Sequence, residues 1–248
     1  MTRKKLFKYN AINKMENVLD LTGINFYTQN IDKIPALDVF LDKIKKGNKE
    51  SVHKFALEIG CGYGEYTLAI AQKNPKLNVI GLDLKGDRIY QGASLAAGET
   101  LQLPAGNFSL EKPLPNAYFV RTIINPKFLS FIPANSIDQI WVTFPDPQPV
   151  NFKKQLTFDT FLMEYWRILS SGGNLILKTD NTGLFNQTLT RIKGDDFKDL
   201  FEMETVEFDL YKTELYEKNL LLQIKTRYEE KFTNLGEAIK YLRLVKKC

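Results

Sequence analysis

The sequence predicts an α/β fold built on a doubly wound, mostly parallel sheet. From about residue 54 onwards, short apolar segments alternate with segments of helical periodicity, which is the pattern of successive strand–helix units. The first apolar segment, FALEIG, runs into the glycine cluster GCGYG and then into EYTLAIAQK, whose apolar residues have helical spacing. A strand, a glycine turn and a helix in this order favour the first unit of such a sheet.

Each later element has its own pattern. NVIGLDL and RIYQGASLAAGETL are predicted as the second strand and helix, and the stretch from Leu103 to Pro115, with its prolines, as a long loop. AYFVRTII and SIDQIWVTF are the third and fourth predicted strands. Apolar residues from Phe158 to Leu169 recur at helical spacing, and Gly172 with Gly173 is predicted to end that helix. NLILKTD is a fifth strand, and a helix follows from Thr182 to Ile192.

Composition divides the chain into a basic N-terminal extension, residues 1–50, and one α/β domain, residues 51–248. The extension is polar and weakly periodic, whereas the patterns above begin just after it. No apolar run approaches the roughly 20 residues that span a bilayer, and the basic start MTRKKLFKYN lacks the apolar region of a secretory signal. We therefore expect a cytoplasmic protein without a membrane partner, either a monomer or a homodimer.

The cysteines and the histidine exclude several kinds of site. Cys61 and Cys248 make neither a disulfide framework nor a zinc spacing. His53 is the single histidine, so a mechanism that needs two histidines is excluded and a metal site is not expected. The net charge of +5 and clusters such as Lys153 with Lys154 suit a polyanionic partner. Solvated helix faces explain the same charges equally well.

Acidic residues accompany the glycine turn. Glu58 lies at the end of the first predicted strand and Asp83 ends the second, so both should reach the sheet edge where ligands bind. Gly60 and Gly62 let the backbone approach a ligand closely, but Glu65 stands where the dinucleotide motif GxGxxG needs its third glycine. One acid suited to a ribose diol and a second suited to a cation favour S-adenosylmethionine over NAD.

One aspartate, Asp146, is held between two prolines in the segment WVTFPDPQP. The prolines end the fourth predicted strand because they cannot continue a sheet, and they restrict the backbone on both sides of the carboxylate. Asp146 should therefore lie at the same sheet edge as Glu58 and Asp83. The order Asp-Pro-Gln-Pro departs from the Asp/Asn-Pro-Pro-aromatic segment of exocyclic-amine methyltransferases, which argues against an adenine or cytosine amino group as the target.

Five segments in order, LEIGCGYGEYTLAIA, GLDLKGDRI, IWVTFPDPQP, LKTDN and TRYEEKF, resemble the tRNA (guanine-N7)-methyltransferase family. The resemblance covers roughly residues 54 to 236, and its most specific part is FPDP following GCGxGE. It implies a class I, Rossmann-like methyltransferase fold, S-adenosylmethionine as the methyl donor and tRNA as the partner. The implied target is N7 of a guanosine in the variable loop.

The resemblance also implies roles for individual residues. Those expected to bind the cofactor are Glu58, Gly60, Gly62, Asp83, Asp146 and Thr122. Asp146 is in addition the implied catalytic residue. Thr122, or Asn125 close by, stands where many members carry an acid near the adenine.

The expected substrate-binding residues are Lys153, Lys154, Asp180, Thr226, Arg227, Tyr228 and Glu229. Two departures concern this part of the site. Gln148 stands in place of a tryptophan, and Val150 in place of a lysine, that many members carry. Lys153 and Lys154 are therefore expected to take over the phosphate contact.

Two other hypotheses fit the same residues. The chain could be an S-adenosylmethionine-dependent methyltransferase that acts on another RNA, a protein or a small molecule, since the cofactor residues would be unchanged. It could also be a non-catalytic relative that binds tRNA, although acids at three strand ends speak against a lost cofactor site.

Overall fold

A computed structural model describes residues 3–26, 28, 31–47, 54–99, 110 and 112–247. His53, Cys248 and most of the predicted loop from Leu103 to Pro115 lie outside these residues. The strands are β1 (Val18–Asp20), β2 (Lys54–Ile59), β3 (Leu77–Asp83), β4 (Ala117–Arg121), β5 (Ile137–Thr143), β6 (Leu169–Thr179), β7 (Phe201–Glu207) and β8 (Lys240–Lys246). The helices are α1 (Arg3–Ile12), α2 (Pro35–Gly47), α3 (Glu65–Lys73), α4 (Gly86–Ala96), α5 (Pro126–Leu129), α6 (Asp159–Ile168), α7 (Thr182–Lys193), α8 (Glu214–Lys218) and α9 (Arg227–Asn234).

The described strands form one sheet in the order β1-β4-β3-β2-β5-β6-β8-β7. Strands β1 to β6 pair in parallel, and β8 runs antiparallel between β6 and β7. The predicted doubly wound, mostly parallel sheet is thus confirmed. The order along the chain reverses between β2 and β5, and ligands of such sheets bind at the carboxyl ends of the strands beside that reversal.

Both faces of the sheet are covered, because side chains alternate in direction along each strand. On β2, Leu57 and Ile59 belong to the core under α2, α5, α6 and α7, whereas Ala56 belongs to the core under α1, α3 and α4. Strand β3 is buried along its whole length, as expected for a central strand of a parallel sheet. The two cores hold rigid the strand ends that carry the acidic residues.

The predicted extension, residues 1–50, contributes α1, β1 and α2 to the same sheet and cores. Strand β1 pairs with β4, and Asp20 at its end forms a 2.8 Å ion pair with Arg121. The Arg121 guanidinium also lies 4.2 Å from the centre of the Tyr9 ring of α1. Ile12 is fully buried. Strand β1 was not predicted, because three residues are too few to show the two-residue period of a strand.

The predicted end of α6 was wrong. The helix ends at Ile168, and the chain enters β6 at once, so Gly172 and Gly173 lie within a strand. Gly172 has φ +71°, and a Cβ on Gly173 would lie 2.8 Å from the carbonyl oxygen of Ser170. The glycines therefore allow the backbone of β6 to adopt an irregular conformation where its pairing with β5 shifts register.

The packing of α1 yields a test of the domain boundary. Ile12→Ala should destabilise the protein by about 2–5 kcal/mol, because it empties a buried site. Asn10→Ala, an exposed position on the same helix, is the matched control and should change stability by less than about 0.5 kcal/mol. Urea denaturation measures both. Equal stability of the two variants would show that residues 1–50 are an appendage and not part of the domain.

Candidate functional site

A cleft of about 620 Å³ opens at the carboxyl ends of β2, β3, β5 and β6. It lies where the strand order reverses, the position expected for a ligand site. The predicted site residues that line it are Glu58, Gly60, Gly62, Asp83, Asp146, Asp180, Thr226 and Tyr228. They come from five separate stretches of the chain, and the sheet brings them to one edge.

The glycine turn after β2 forms the floor of this cleft. Gly60, Gly62 and Gly64 have φ values of +79°, +56° and +79°, which non-glycine residues rarely adopt. A Cβ on Gly64 would lie 2.7 Å from the Phe119 ring, whereas a Cβ on Gly62 would meet nothing within 4 Å. Gly64 is thus required by packing, and Gly62 leaves the backbone open towards the cleft.

Asp83 fixes the glycine turn from the neighbouring strand. One carboxylate oxygen accepts a hydrogen bond from the Gly62 N–H at 2.9 Å, and the other accepts from the Lys85 N–H at 2.7 Å. Each carboxylate oxygen can accept more than one hydrogen bond. Asp83 can therefore hold the turn and still accept from two adjacent hydroxyls of a ligand.

Glu58 is buried at the point where β2, α3 and β5 meet. Its carboxyl group accepts from the Thr67 N–H at 2.7 Å, the Thr67 hydroxyl at 2.6 Å and the Thr143 hydroxyl at 2.9 Å. Burial raises the pKa of Glu58 to about 8, although these hydrogen bonds oppose the shift. At neutral pH the group is therefore mostly protonated, and a cation in the cleft would favour its ionised form.

The proline turn after β5 places Asp146 at the cleft. Phe144 and Gln148 on either side have φ values of +48° and +44°, a strained conformation for residues with a side chain. The Asp146 carboxylate accepts from the Gln148 N–H at 3.2 Å, which closes the turn. Asp146 is exposed, so its carboxylate remains accessible to a ligand.

Gln155 supports this turn, and sequence reasoning missed it. Its amide nitrogen donates to the Pro147 carbonyl at 2.9 Å and to Gln187 at 2.8 Å, while Arg191 donates to its oxygen at 2.9 Å. Gln155 is almost completely buried. No signal in the sequence marks a polar residue after two lysines as buried, because two of its partners, Gln187 and Arg191, lie on the distant α7.

The N-terminus of α9 brings two predicted substrate residues to the cleft. The Thr226 hydroxyl caps the helix by accepting from the Glu229 N–H at 3.2 Å. Tyr228 is 44% exposed, and its hydroxyl lies 3.4 Å from the guanidinium of Arg88. Arg227 is exposed, and its backbone N–H donates to the Glu65 carboxylate. Burial raises the pKa of Glu65, although Arg88 and Arg227 oppose the shift.

Glu229 does not face the cleft. Both it and Lys178 of β6 are fully buried, and their charged groups are 2.5 Å apart. The Tyr211 hydroxyl donates to the same carboxylate oxygen of Glu229 at 2.6 Å. Burial lowers the pKa of Lys178, and the charge of Glu229 opposes this shift. A direct contact between Glu229 and a substrate is therefore not supported by its position.

Three further predicted residues lie away from the cleft lining. Thr122 is fully buried, and its hydroxyl has no hydrogen-bond partner among the described residues. Its N–H donates to the Asp83 carbonyl at 3.0 Å, so it supports that strand end. Lys153 and Lys154 are exposed on a short 3-10 turn, Phe152–Lys154, that follows the proline turn.

Two further observations bear on the predicted absences. Among the described residues, no group of three or more histidine, cysteine or acidic side chains could hold a metal ion. Within the same part of the chain, no helix combines the length and the apolar character that a membrane crossing needs.

The environment of Glu58 predicts a pH-dependent stability. A carboxyl group whose pKa rises from 4.5 to about 8 on folding binds its proton more tightly in the folded state. Its contribution is complete below the unfolded pKa and is lost as the pH rises through the folded pKa. Between these pH values, wild type should lose up to about 1.4 kcal/mol per pH unit relative to Glu58→Gln, whose amide cannot ionise.

Urea denaturation of both proteins from pH 5 to pH 9 measures this difference. When Glu58 is protonated, its hydrogen bond with Thr143 reverses, and the carboxyl proton donates to the Thr143 hydroxyl oxygen. The glutamine amide can donate in the same way while its oxygen accepts from the Thr67 N–H, so the variant retains the hydrogen-bonding pattern of a protonated Glu58. Parallel stability curves for the two proteins would contradict a protonated Glu58.

Solved structures with a similar fold are methyltransferases. The chain aligns with an antibiotic-related methyltransferase at a TM-score of 0.56, with 15% identity, over 90% of this chain and 98% of that one. A variant of the 16S rRNA (adenine(1408)-N(1))-methyltransferase of Catenulisporales acidiphilia, with its cosubstrate SAM, aligns at 0.54, with 15% identity, over 84% of this chain and 92% of that one. At these identities the similarity concerns the fold, and it agrees with the predicted class I methyltransferase fold.

Sequence comparison is more specific. Residues 52–242 match the family described as "Putative methyltransferase". The tRNA (guanine-N(7)-)-methyltransferase of Christiangramia forsetii is 32% identical over 98% of this chain and 97% of its own length. The enzyme of the same name from Porphyromonas gingivalis is 35% identical over 77% of this chain and 70% of its own length. That from Cytophaga hutchinsonii is 30% identical over 98% of this chain and 97% of its own length. With this identity over nearly its full length, the chain belongs to the tRNA (guanine-N(7)-)-methyltransferase family.

Proposed function

We propose that the protein transfers a methyl group from S-adenosylmethionine to N7 of a guanosine in the variable loop of tRNA. The observation that carries this proposal is the cleft, where Glu58, Asp83 and Asp146 meet at one sheet edge beside the glycine turn. Three acidic residues around an open glycine backbone suit a cationic ligand with a ribose, and they do not suit a pyrophosphate. Family membership supports the same reaction.

The residues at the cleft fit S-adenosylmethionine. Asp83 would accept from the ribose hydroxyls, Gly60 and Gly62 would allow close approach, and Glu58 would balance positive charge. Outside the cleft lining, Leu84 and Ile123, each 42% exposed, follow the ends of the paired strands β3 and β4. These apolar side chains suit a planar adenine better than the buried Thr122 does. When bound, S-adenosylmethionine supplies a methyl group on a positively charged sulfur.

The chemistry of guanine explains why so few catalytic groups are needed. N7 carries a lone pair and no proton, so no base has to remove a proton before it attacks. Positioning and electrostatics then account for most of the acceleration. The purine gains positive charge as it accepts the methyl group. Asp146, exposed at the cleft and fixed by the proline turn, is placed to stabilise that charge or to accept from the N1/N2 edge of the base.

Groups around the mouth of the cleft would bind the tRNA substrate. Asp180, Thr226 and Tyr228 line it, and they would contact the guanosine and its neighbours. Lys153 and Lys154 follow the proline turn and would bind phosphates, as exposed lysines near a nucleic-acid site do. Arg227, exposed at the start of α9, would bind phosphate in the same way.

We further propose that the protein acts in the cytoplasm, where its tRNA substrate would be found, and that it is a monomer or a homodimer. Methylation of another RNA or of a small molecule is the alternative that shares the cofactor site. A relative that only binds tRNA would have no use for a strained turn around an exposed carboxylate.

Mapping of 7-methylguanosine tests the function and the role of Asp146 together. Purified protein with S-adenosylmethionine and unmodified tRNA should give borohydride–aniline cleavage at one guanosine of the variable loop. Asp146→Asn should lower kcat by about 100-fold, because it removes the charge while its side-chain oxygen can still accept from the Gln148 N–H. Asp195→Asn, at an exposed carboxylate, is the control.

Two outcomes would contradict this account. The absence of cleavage with wild-type protein would reject tRNA N7 methylation. Cleavage by Asp146→Asn at the wild-type rate would leave the function in place and reject the catalytic role of Asp146.

A further inference from the structure

Helix α9 carries Thr226 and Tyr228 to the cleft, yet it has no buried apolar residue that would hold it against the rest of the protein. It is eight residues long, RYEEKFTN, and its one buried residue is the charged Glu229. An isolated helix of this length is not stable in water, and apolar burial supplies little here. The position of α9 therefore depends on what Glu229 contacts.

Glu229 belongs to a cluster of four polar side chains, the buried Lys178, Glu229 and Tyr66 and the half-buried Tyr211, which we call the Lys178 cluster. The Lys178 ammonium donates to Glu229, to the Tyr66 hydroxyl at 2.7 Å and to the Leu222 carbonyl at 3.0 Å. These contacts use its three donors. The cluster thus joins α9, the chain that precedes it, strand β6 and helix α3.

The same elements form the cleft. Lys178 lies two residues before Asp180, and Tyr66 lies in the first turn of α3 directly after the glycine turn. The Tyr66 hydroxyl donates to the Ile224 carbonyl at 3.1 Å, two residues before Thr226. The preceding residue, Glu65, accepts from the Arg227 N–H. The first turn of α9 is therefore held from the cofactor side and from the sheet at once.

Stability alone does not explain a buried ion pair at this place. The desolvation of two charges offsets most of their attraction, and well-packed apolar residues often stabilise a protein equally well. A charged pair with defined hydrogen bonds instead admits one arrangement, since a shift of α9 would leave Lys178 or Glu229 unpaired in the interior. The second carboxylate oxygen of Glu229 has no partner among the described residues, so the contact to Lys178 and Tyr211 is the one that fixes this side chain.

We propose that Lys178, Glu229 and Tyr66 are positioning residues, which hold the first turn of α9 so that Thr226 and Tyr228 face the substrate in the cleft. Glu229 acts through this cluster and does not touch the substrate. The inference rests on the proposed function, because it assigns the cluster to the tRNA side of that site.

The test replaces both charges at once, since removal of one would leave the other buried and unpaired. Lys178→Met/Glu229→Gln should fold, as judged by circular dichroism, and should bind S-adenosylmethionine with an unchanged Kd. Its kcat/KM for tRNA should fall by about 100-fold, the effect of a small misplacement of binding groups. Amide hydrogen exchange in residues 219–235 should accelerate. Tyr66→Phe, which removes one hydroxyl and no charge, should change both measurements in the same direction and by less.

The matched control is Lys218→Met/Glu214→Gln, an exposed ion pair of α8 with a 2.6 Å contact, which should change none of these quantities. Wild-type kcat/KM in the Lys178→Met/Glu229→Gln variant, or in Tyr66→Phe if the double variant does not fold, would overturn the positioning role. Equal losses of cofactor and tRNA binding would overturn it as well, since they would indicate a general structural role. If the wild-type protein does not methylate tRNA, the proposed function fails, and the assignment of the cluster to a tRNA site fails with it, whatever hydrogen exchange shows.

Discussion

The site depends on the buried carboxyl group of Glu58. Its hydrogen bonds to Thr67 and Thr143 join β2, α3 and β5 at the point where the order of the strands reverses. Loss of that connection would free the start of α3 from the end of β5, and the glycine turn and the proline turn would no longer share a fixed wall. Asp83 adds the third connection, from β3 to the Gly62 N–H. The acidic residues Glu58 and Asp83 therefore organise the cleft through hydrogen bonds within the protein, in addition to any contact with a ligand.

Rigidity on the substrate side comes from a different source. The proline turn stores strain at Phe144 and Gln148, and the buried amide of Gln155 holds it through the Pro147 carbonyl. On the opposite side, α9 is docked by the Lys178 cluster and not by apolar packing. Both devices fix exposed polar groups in place, which is what a reaction that proceeds mainly by positioning requires.

Local patterns allowed the prediction of most of the fold and part of the site. The strand ends that carry Glu58, Asp83 and Asp146 were predictable from local signals. These signals are the periodicity of apolar residues and the glycines or prolines that end each strand. Strand β1 was missed because it is short, and the end of α6 was misplaced because glycines also serve strand irregularities. Gln155 and Lys178 were not predictable, since their partners are distant in sequence. Glu229 was expected to contact the substrate but is buried against Lys178 and Tyr211, which are also distant in sequence.

The most direct test of the central claim is calorimetric titration of S-adenosylmethionine at pH 7 in two buffers of different ionisation enthalpy. Glu58 is mostly protonated in the free protein, and a cation in the cleft favours its ionised form. Binding should therefore release about one proton per protein, and Glu58→Gln should release about one proton fewer than the wild type. Binding without proton release in the wild type, or the same release by both proteins, would contradict the account of Glu58 as a protonated group that organises the site and ionises when the cofactor binds.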